Sequence, residues 1–243
     1  ELNNKLCISD NLISLENLLG LDRMPINERV AVSFAMSGYS IADKTIYECA
    51  NSLMPGHYLI KKNSSINVKR YYNWRPATYT GSEKNYEENL NLLNEKIIKK
   101  LIKRANGKQI VVPLSAGYDS RLIASGLRKF QYDNVLCVSY GLAQNRETKT
   151  AAEVASQLGF RHLHITYTRR GVRDMWHSDA YQKFMDFCDT GTSVHFYGEF
   201  GMLSSLWKNK EVDRNSVFSN GQSGDFISGN HIAACFHEKR PNV

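Results

Sequence analysis

Apolar residues recur along this chain in two rhythms, and the change between them divides it. Between Ser82 and Gly107 they fall at Tyr86, Leu90, Leu93, Ile97 and Leu101, in steps of three and four. That spacing draws a single stripe along a helix. Ser82 stands at its start as an N-cap, and Asn106-Gly107 stands at its end. Glu83, Glu87 and Glu88 open the helix, and Lys99, Lys100, Lys103 and Arg104 close it, which are the signs its dipole favours. From Lys108 the rhythm changes to short unbroken apolar runs alternating with helical stretches. Residues 109–114, 134–140, 161–166 and 216–219 predict strands. Residues 120–129, 147–158 (closed by Gly159), 179–187 and 195–207 predict helices. Strands without polar alternation are those covered on both faces. Strand-then-helix repetition predicts an α/β fold, a parallel sheet flanked by helices.

Ahead of Ser82 the pattern is shorter and more mixed. Residues 28–36 suit a helix ending near Gly38-Tyr39, and Met54-Pro55-Gly56 marks a turn. Residues 57–60 and 67–72 read as two strands joined through 62–65. Residues 1–75 thus form a small α+β piece with little core of its own. The turn-rich residues 76–82 read as a linker, and 83–243 as a second domain. No internal repeat is visible. The chain begins without Met, which points to a piece of a longer protein.

Composition narrows the classes. The chain has 243 residues, 42% apolar and 23% charged, an ordinary globular balance that excludes disordered and low-complexity classes. No apolar run approaches the ~18 residues of a membrane span. Five cysteines, Cys7, Cys49, Cys137, Cys188 and Cys235, are widely spaced and form no CxxC pair. They read as reduced, mostly buried thiols of a cytoplasmic protein, with neither a zinc site nor a disulfide framework. Lys and Arg total 31 against 24 Asp and Glu, a net charge of +7 that reads first as a mildly basic surface and second as a pull on anionic ligands such as phosphates. Nucleic acid is not an expected partner, because no helix-turn-helix, zinc-finger or aromatic RNA-binding motif is present.

Two loops carry the candidate chemistry. In parallel sheets, ligands bind beyond the carboxyl ends of the strands. After the first predicted strand comes Leu114-Ser115-Ala116-Gly117-Tyr118-Asp119-Ser120. Its small residues permit close backbone approach, Ser115 and Ser120 offer hydroxyls, and the helix that follows points N–H groups at an anion. Asp119 would repel a phosphate unless a cation lay between them, and Mg²⁺ takes that place with one or two carboxylates. After the fourth strand, Asn220-Gly221-Gln222-Ser223-Gly224-Asp225 has the same form. No G-x-x-x-x-G-K-[ST] occurs, so P-loop kinases and GTPases are excluded, and the absence of G-x-G-x-x-G disfavours dinucleotide binding.

The first loop resembles the S-G-G-x-D-S pyrophosphate loop of the N-type ATP pyrophosphatases. The second is similar to the S-G-E-G-x-D loop of asparagine synthetases. Between them, Glu147, the Ala151-Ala152-Glu153-Val154-Ala155 run and Leu158-Gly159 resemble a helix of that family, and His162 falls near its histidine position. Upstream, 53–59 and Tyr72-Asn73-Trp74 are similar to the end of its glutaminase domain. The blocks run in the same order over nearly the whole chain. The resemblance implies an adenine-nucleotide hydrolase-like, Rossmann-like domain over 83–243, truncated at its C-terminus and preceded by a glutaminase-domain remnant over 1–75. It implies ATP bound by Leu114, Ser115, Ala116, Gly117, Tyr118, Asp119, Ser120, Val138, Gly221, Gln222, Ser223 and Gly224, with Leu114 and Val138 meeting adenine through backbone. Mg²⁺ would sit on Asp119 and Asp225, and Glu147 and Asp189 are further site candidates.

The implied reaction is adenylation of a small-molecule carboxylate with release of pyrophosphate, then amide formation with ammonia or glutamine-derived nitrogen. Ala116 stands in place of a family Gly, Gln222 in place of its Glu, and Phe226 in place of an acid. The two lost acids make the acceptor as open to a sugar carboxylate as to aspartate. Two alternatives stay open: another adenylating pyrophosphatase such as a tRNA-modifying one, and a degenerate nucleotide-binding or scaffold protein. Cys7 is internal and is not the N-terminal nucleophile of a glutaminase. The catalytic Lys of the family's later helical section falls beyond Val243. His162 and His164 lie on one strand face but lack a third metal ligand in the nearby sequence. Arg169, Arg170 and Arg173 read as solvated loop charges. Asp186 and Asp189 fall where the family's acceptor pocket would lie.

Overall fold

The computed structural model describes residues 6–63, 65–73, 75, 80–143, 145–194, 196–222 and 224. The linker residues 76–79 lie outside the described set, as do Trp74, His195, Ser223, Asp225, Phe226 and Cys235. In chain order the elements are α1 (Leu12–Leu19), α2 (Glu28–Ser37), β1 (His57–Lys62), β2 (Ser65–Arg70), α3 (Glu83–Ala105), β3 (Ile110–Pro113), α4 (Tyr118–Lys129), β4 (Val135–Gly141), α5 (Arg146–Gln157), β5 (Arg161–Thr166), α6 (Arg169–Trp176), α7 (Asp179–Cys188), α8 (Gly198–Lys208) and β6 (Val217–Phe218). They fall into two compact units, residues 1–79 with 173–200, and residues 80–172 with 201–243.

The second unit is built on a parallel sheet of order β5-β4-β3-β6. Strand alternation sends Ile110, Val112, Val135 and Cys137 to one face, against Ile98 and Ala105 of α3, Ala124 and Leu127 of α4, and Ala151 and Ala155 of α5. It sends Val111, Leu136 and Val138 to the other face, against Met202 and Leu206 of α8. Both faces are covered, which is why these strands carry no polar alternation. The expected α/β architecture is therefore the observed one. Ser82 Oγ accepts from Asn85 N at 3.3 Å, and Asn106 takes the left-handed conformation (φ 50°) that ends α3. The stripe along α3 is not covered throughout. Ile98 is buried and Leu101 packs on the core, whereas Tyr86, Leu90, Leu93 and Ile97 are exposed. The helix is longer than the sheet edge it covers.

The first unit joins α1, α2 and the antiparallel β1–β2 hairpin, paired from His57↔Arg70 to Lys62↔Ser65, with α7 and the segment after it. Backbone bonds hold the two stretches: Asp189 O accepts from Leu12 N (3.2 Å), Gly191 O from Ile46 N (2.9 Å) and Thr192 O from Ser40 N (2.8 Å). Gly191 is left-handed (φ 64°), and a Cβ there would lie 3.0 Å from Leu12 Cδ1 and 3.2 Å from Tyr47 Cδ2. The sequence division put residues 173–200 with the second domain, but in the fold they cluster with the first unit. This unit has a small apolar core of its own around Leu12, Met24 and Ala50.

Two short helices were not expected from the sequence. α1 is started by Asn11, whose Oδ1 accepts from Ser14 N at 2.8 Å. α6 makes a helix of the Arg169, Arg170 and Arg173 segment, which the sequence assigns to a loop. Among the described cysteines only Cys137 is buried. Cys7 and Cys188 are half-buried and Cys49 is exposed, so the expected burial of most thiols fails. All four are free thiols. Burial pushes the Cys137 thiol up to about 12.

Candidate functional site

Parallel pairing of β3 with β4 and β6 brings the 114–117 and 219–224 loops out at the same edge of the sheet. β3 lies inside the sheet, and the loop after it enters α4 directly. Gly117 is the N-cap of α4 and places no side chain over the helix start. The first-turn N–H groups therefore lack the usual side-chain cap, the arrangement that suits an anion. Within the loop the two serines hold one another. Ser115 N donates to Ser120 Oγ at 3.1 Å, the two hydroxyls are 3.1 Å apart, and Gly117 N donates to Ser115 Oγ at 3.1 Å. Ser120 is buried, Ser115, Ala116 and Asp119 are half-buried, and Tyr118 is 83% exposed. Ala116 is absent from the residues with positive φ, so its methyl strains no backbone.

Arg121, one residue past the loop motif, was not singled out from the sequence. Its Nε donates to the Gly117 carbonyl at 3.1 Å, and its guanidinium lies 4.5 Å from the centre of the Tyr118 ring. This anchors a cation beside the helix start.

The second loop folds against the first. Gly224 N donates to Gly221 O at 3.0 Å, closing a turn, and Asn220 Nδ2 donates to Gln222 Oε1 at 3.3 Å. A Cβ on Gly221 would lie 2.7 Å from Ser120 N and 2.8 Å from Asp119 Cβ. Gly221 is thus beside Asp119 and Ser120, and Gly224 beside Asp119, while Ser223 and Asp225 lie outside the described residues.

Leu114 and Val138 are neighbours in the ladder: Leu114 N donates to Val138 O at 2.7 Å. Their side chains are buried in the sheet, so any contact with a ligand would be through remaining backbone groups. Glu147 is exposed in the first turn of α5. Asp189 belongs to the first unit, where its Oδ1 accepts from Gly191 N at 2.9 Å, a loop-closing bond. Asp186 accepts from Gln182 of its own helix at 3.0 Å.

A half-buried polar cluster around the buried Ser139 lies farther along the same sheet. Ser139 Oγ is 3.0 Å from both His162 Nε2 and His164 Nδ1, and Thr148 Oγ1 is 3.4 Å from His164 Nδ1. His164 Nε2 is buried without a partner among the described residues. Burial, and then the charge of His164, hold His162 below the usual histidine range. The sequence placed both histidines on one face. The serine between them is set by the pairing Ser139↔His164, which no spacing along the chain reveals.

The first unit contains a half-open cavity of about 830 Å³, with His57 and Arg70 among its lining. His57 Nδ1 is 3.1 Å from Pro55 O, and Arg70 Nε donates to His57 Nε2 at 3.3 Å.

Among the described residues no three His, Cys, Asp or Glu side chains converge as an all-protein metal site. A half-buried Asp119 beside an open helix start fits Mg²⁺, which takes one or two carboxylates with phosphate oxygens. No described helix is long and apolar enough to cross a membrane.

The family model for asparagine synthase matches residues 97–225. No curated protein matches the chain. An NH3-dependent NAD synthetase from Campylobacter jejuni, solved with nitrate ion, aligns at 17% identity and a TM-score of 0.35, over 54% of this chain and 54% of that one. A predicted subunit of tRNA methyltransferase from Methanocaldococcus jannaschii aligns at 24% identity and a TM-score of 0.28, over 47% of this chain and 52% of that one. The chain therefore spans about half the length of the solved structures it resembles.

Proposed function

The chain belongs to the asparagine synthase family, and from that premise we propose that it adenylates a small-molecule carboxylate with ATP and passes the acyl group to nitrogen. Membership in an ATP-using family supports ATP as the co-substrate, and the carboxylate, the amide product and the nitrogen source complete the proposal. The observation that carries it is the start of α4. An N-terminus without a side-chain cap, two serine hydroxyls and Asp119 lie together at the carboxyl edge of a parallel sheet.

In this scheme the ATP triphosphate lies along the 115–120 loop. The Ser115–Ser120 hydroxyl pair and the Gly117 N–H are donors that exchange their internal bonds for phosphate oxygens. Arg121 adds positive charge beside them. Donors fixed before the reaction stabilise charge as it develops on the leaving pyrophosphate. A carboxylate oxygen attacks the α-phosphorus, the bond to the bridging oxygen of pyrophosphate breaks, and an acyl-adenylate forms. Ammonia or glutamine-derived nitrogen then attacks the acyl carbon and AMP leaves. Mg²⁺, when bound, neutralises triphosphate charge. Asp119, and Asp225 beyond the described residues, would hold it. Gln222 is exposed at the mouth of this site in place of an acid, which supports an acceptor other than aspartate.

The test is a screen of small carboxylates, sugar acids and aspartate among them, for pyrophosphate and AMP release with ammonia as nitrogen donor. Equimolar AMP and pyrophosphate dependent on one carboxylate is the expected result. ADP and phosphate instead, or release indifferent to every carboxylate, contradicts the reading.

A further inference from the structure

Gly221 and Gly224 read from the sequence as contacts to the nucleotide. The structure gives them a different neighbour. Neither is among the residues with positive φ, so neither needs glycine for its backbone conformation. Space is what each lacks. A Cβ on Gly224 would fall within 2.8 Å of Asp119 Oδ2, and nearer still to Oδ1 and Cγ. A Cβ on Gly221 would lie 2.8 Å from Asp119 Cβ, 2.9 Å from its carbonyl carbon and 2.7 Å from Ser120 N. Real Cβ atoms essentially never approach that closely. Two bare Cα atoms of one turn thus border a single residue of the other loop. The Gly224 N to Gly221 O bond fixes the distance between them.

We propose that Gly221 and Gly224 are positioning residues that form a seat for Asp119. Gly224 borders the carboxylate and sets its direction. Gly221 borders the backbone that carries it. The inference rests on the reading of Asp119 as the residue facing a Mg²⁺–triphosphate, and adds what aims it there. It also assigns the close approach of the two loops a purpose apart from ligand contact: a side chain at either position would displace Asp119 before it met the nucleotide.

The two positions differ in what must yield. At Gly224 the obstructing atoms are the end of a short side chain, which can rotate. At Gly221 they are backbone at the start of α4, which cannot move alone. Gly224→Ala therefore keeps the fold and turns the carboxylate aside, whereas Gly221→Ala lowers stability directly.

The experiment is a double-mutant cycle of Gly224→Ala with Asp119→Ala, read by thermal unfolding and by calorimetric titration with ATP, with Mg²⁺ present and with Mg²⁺ chelated. Gly224→Ala is expected to weaken Mg²⁺–ATP binding by about 10–100-fold, as loss of a residue that orients a metal ligand does. ATP without Mg²⁺ binds parent and variant alike, a separation that general loosening of the loop would not produce. Its modest loss of Tm disappears in the Asp119→Ala background, where the obstructed atoms are gone. The Tm loss of Gly221→Ala persists there, because Ser120 N and the Asp119 carbonyl carbon remain. Parental Mg²⁺–ATP affinity in Gly224→Ala, or an equal Tm loss in both backgrounds, overturns the seat. If the parent binds no Mg²⁺–ATP, the nucleotide reading fails by itself and the Tm cycle still decides the seat. If Gly224→Ala alone does not fold, recovery in the double variant supports the seat and continued failure overturns it.

Discussion

In the proposed anion loop, Ala116 stands where the motif it resembles has glycine, and its effect follows from where it sits. A methyl there would cost most by forcing a left-handed backbone, but Ala116 is not among the positive-φ residues. What remains is the narrower cost of a methyl near an approaching phosphate. Ala116→Gly is therefore expected to tighten Mg²⁺–ATP binding by less than about tenfold, or ~1.4 kcal/mol, measured by titration. A loss of binding contradicts this. His162 carries the residue-scale prediction for pH. Burial and His164 lower its pKa in the folded chain, so between that value and the ordinary one near 6.5 the unfolded chain binds the proton and the folded chain does not. Stability therefore rises with pH through this window. It is fully present above about pH 6.5 and is lost as pH falls through the folded value. Denaturant unfolding at pH 5 and pH 7.5 measures it. His162→Gln removes the titrating group and should flatten that slope; an unchanged slope assigns the pH dependence elsewhere.

At the scale of elements, α3 and α4 meet through a glycine. A Cβ on Gly126 would lie 2.8 Å from Ile98 Cγ1 and 3.1 Å from its Cδ1, and Ile98 is buried. Gly126→Ala improves helix propensity yet overpacks this crossing. Overpacking costs about 1–3 kcal/mol and the propensity gain returns about 1 kcal/mol, so a net loss of up to about 2 kcal/mol is expected in denaturant unfolding. A stabilised variant would show that the helices separate freely. The second unit's elements were legible because continuous apolar strands and capped helices each leave a local signature. Ser82, Asn106 and Gly159 mark ends where the structure has them. α6 was not legible, since its apolar positions Val172, Met175 and Trp176 span barely more than one turn and Arg169, Arg170 and Arg173 read as loop charge. α3 misled in another way. Its stripe is regular through Tyr86, Leu90 and Leu93, but only the end near Ile98 reaches the sheet. Periodicity gives the face of a helix and not the length of its partner.

For the whole molecule, the two-unit division shows where sequence order stops being a guide. Residues 173–200 follow the third strand of the parallel sheet, and nothing local separates them from it. Their place in the first unit is set by backbone bonds from Leu12, Ser40 and Ile46, more than a hundred residues away. The candidate site was more legible, because the 115–120 loop is one contiguous stretch and parallel topology dictates which strand ends coincide. The partnership of Gly224 with Asp119 and of Ser139 with two histidines was not, since each depends on register across strands or loops. A net charge of +7 gives the whole chain the sign that attracts a triphosphate, but it cannot choose the loop that holds one. That choice is the central claim. Its most direct test is calorimetric titration of Mg²⁺–ATP into the chain and into its Asp119→Ala variant, with circular dichroism to confirm that both are folded. Saturable binding by the parent and none by the variant is the predicted result. Equal binding by both, or none by the parent, would contradict the assignment of the 115–120 loop as the nucleotide site.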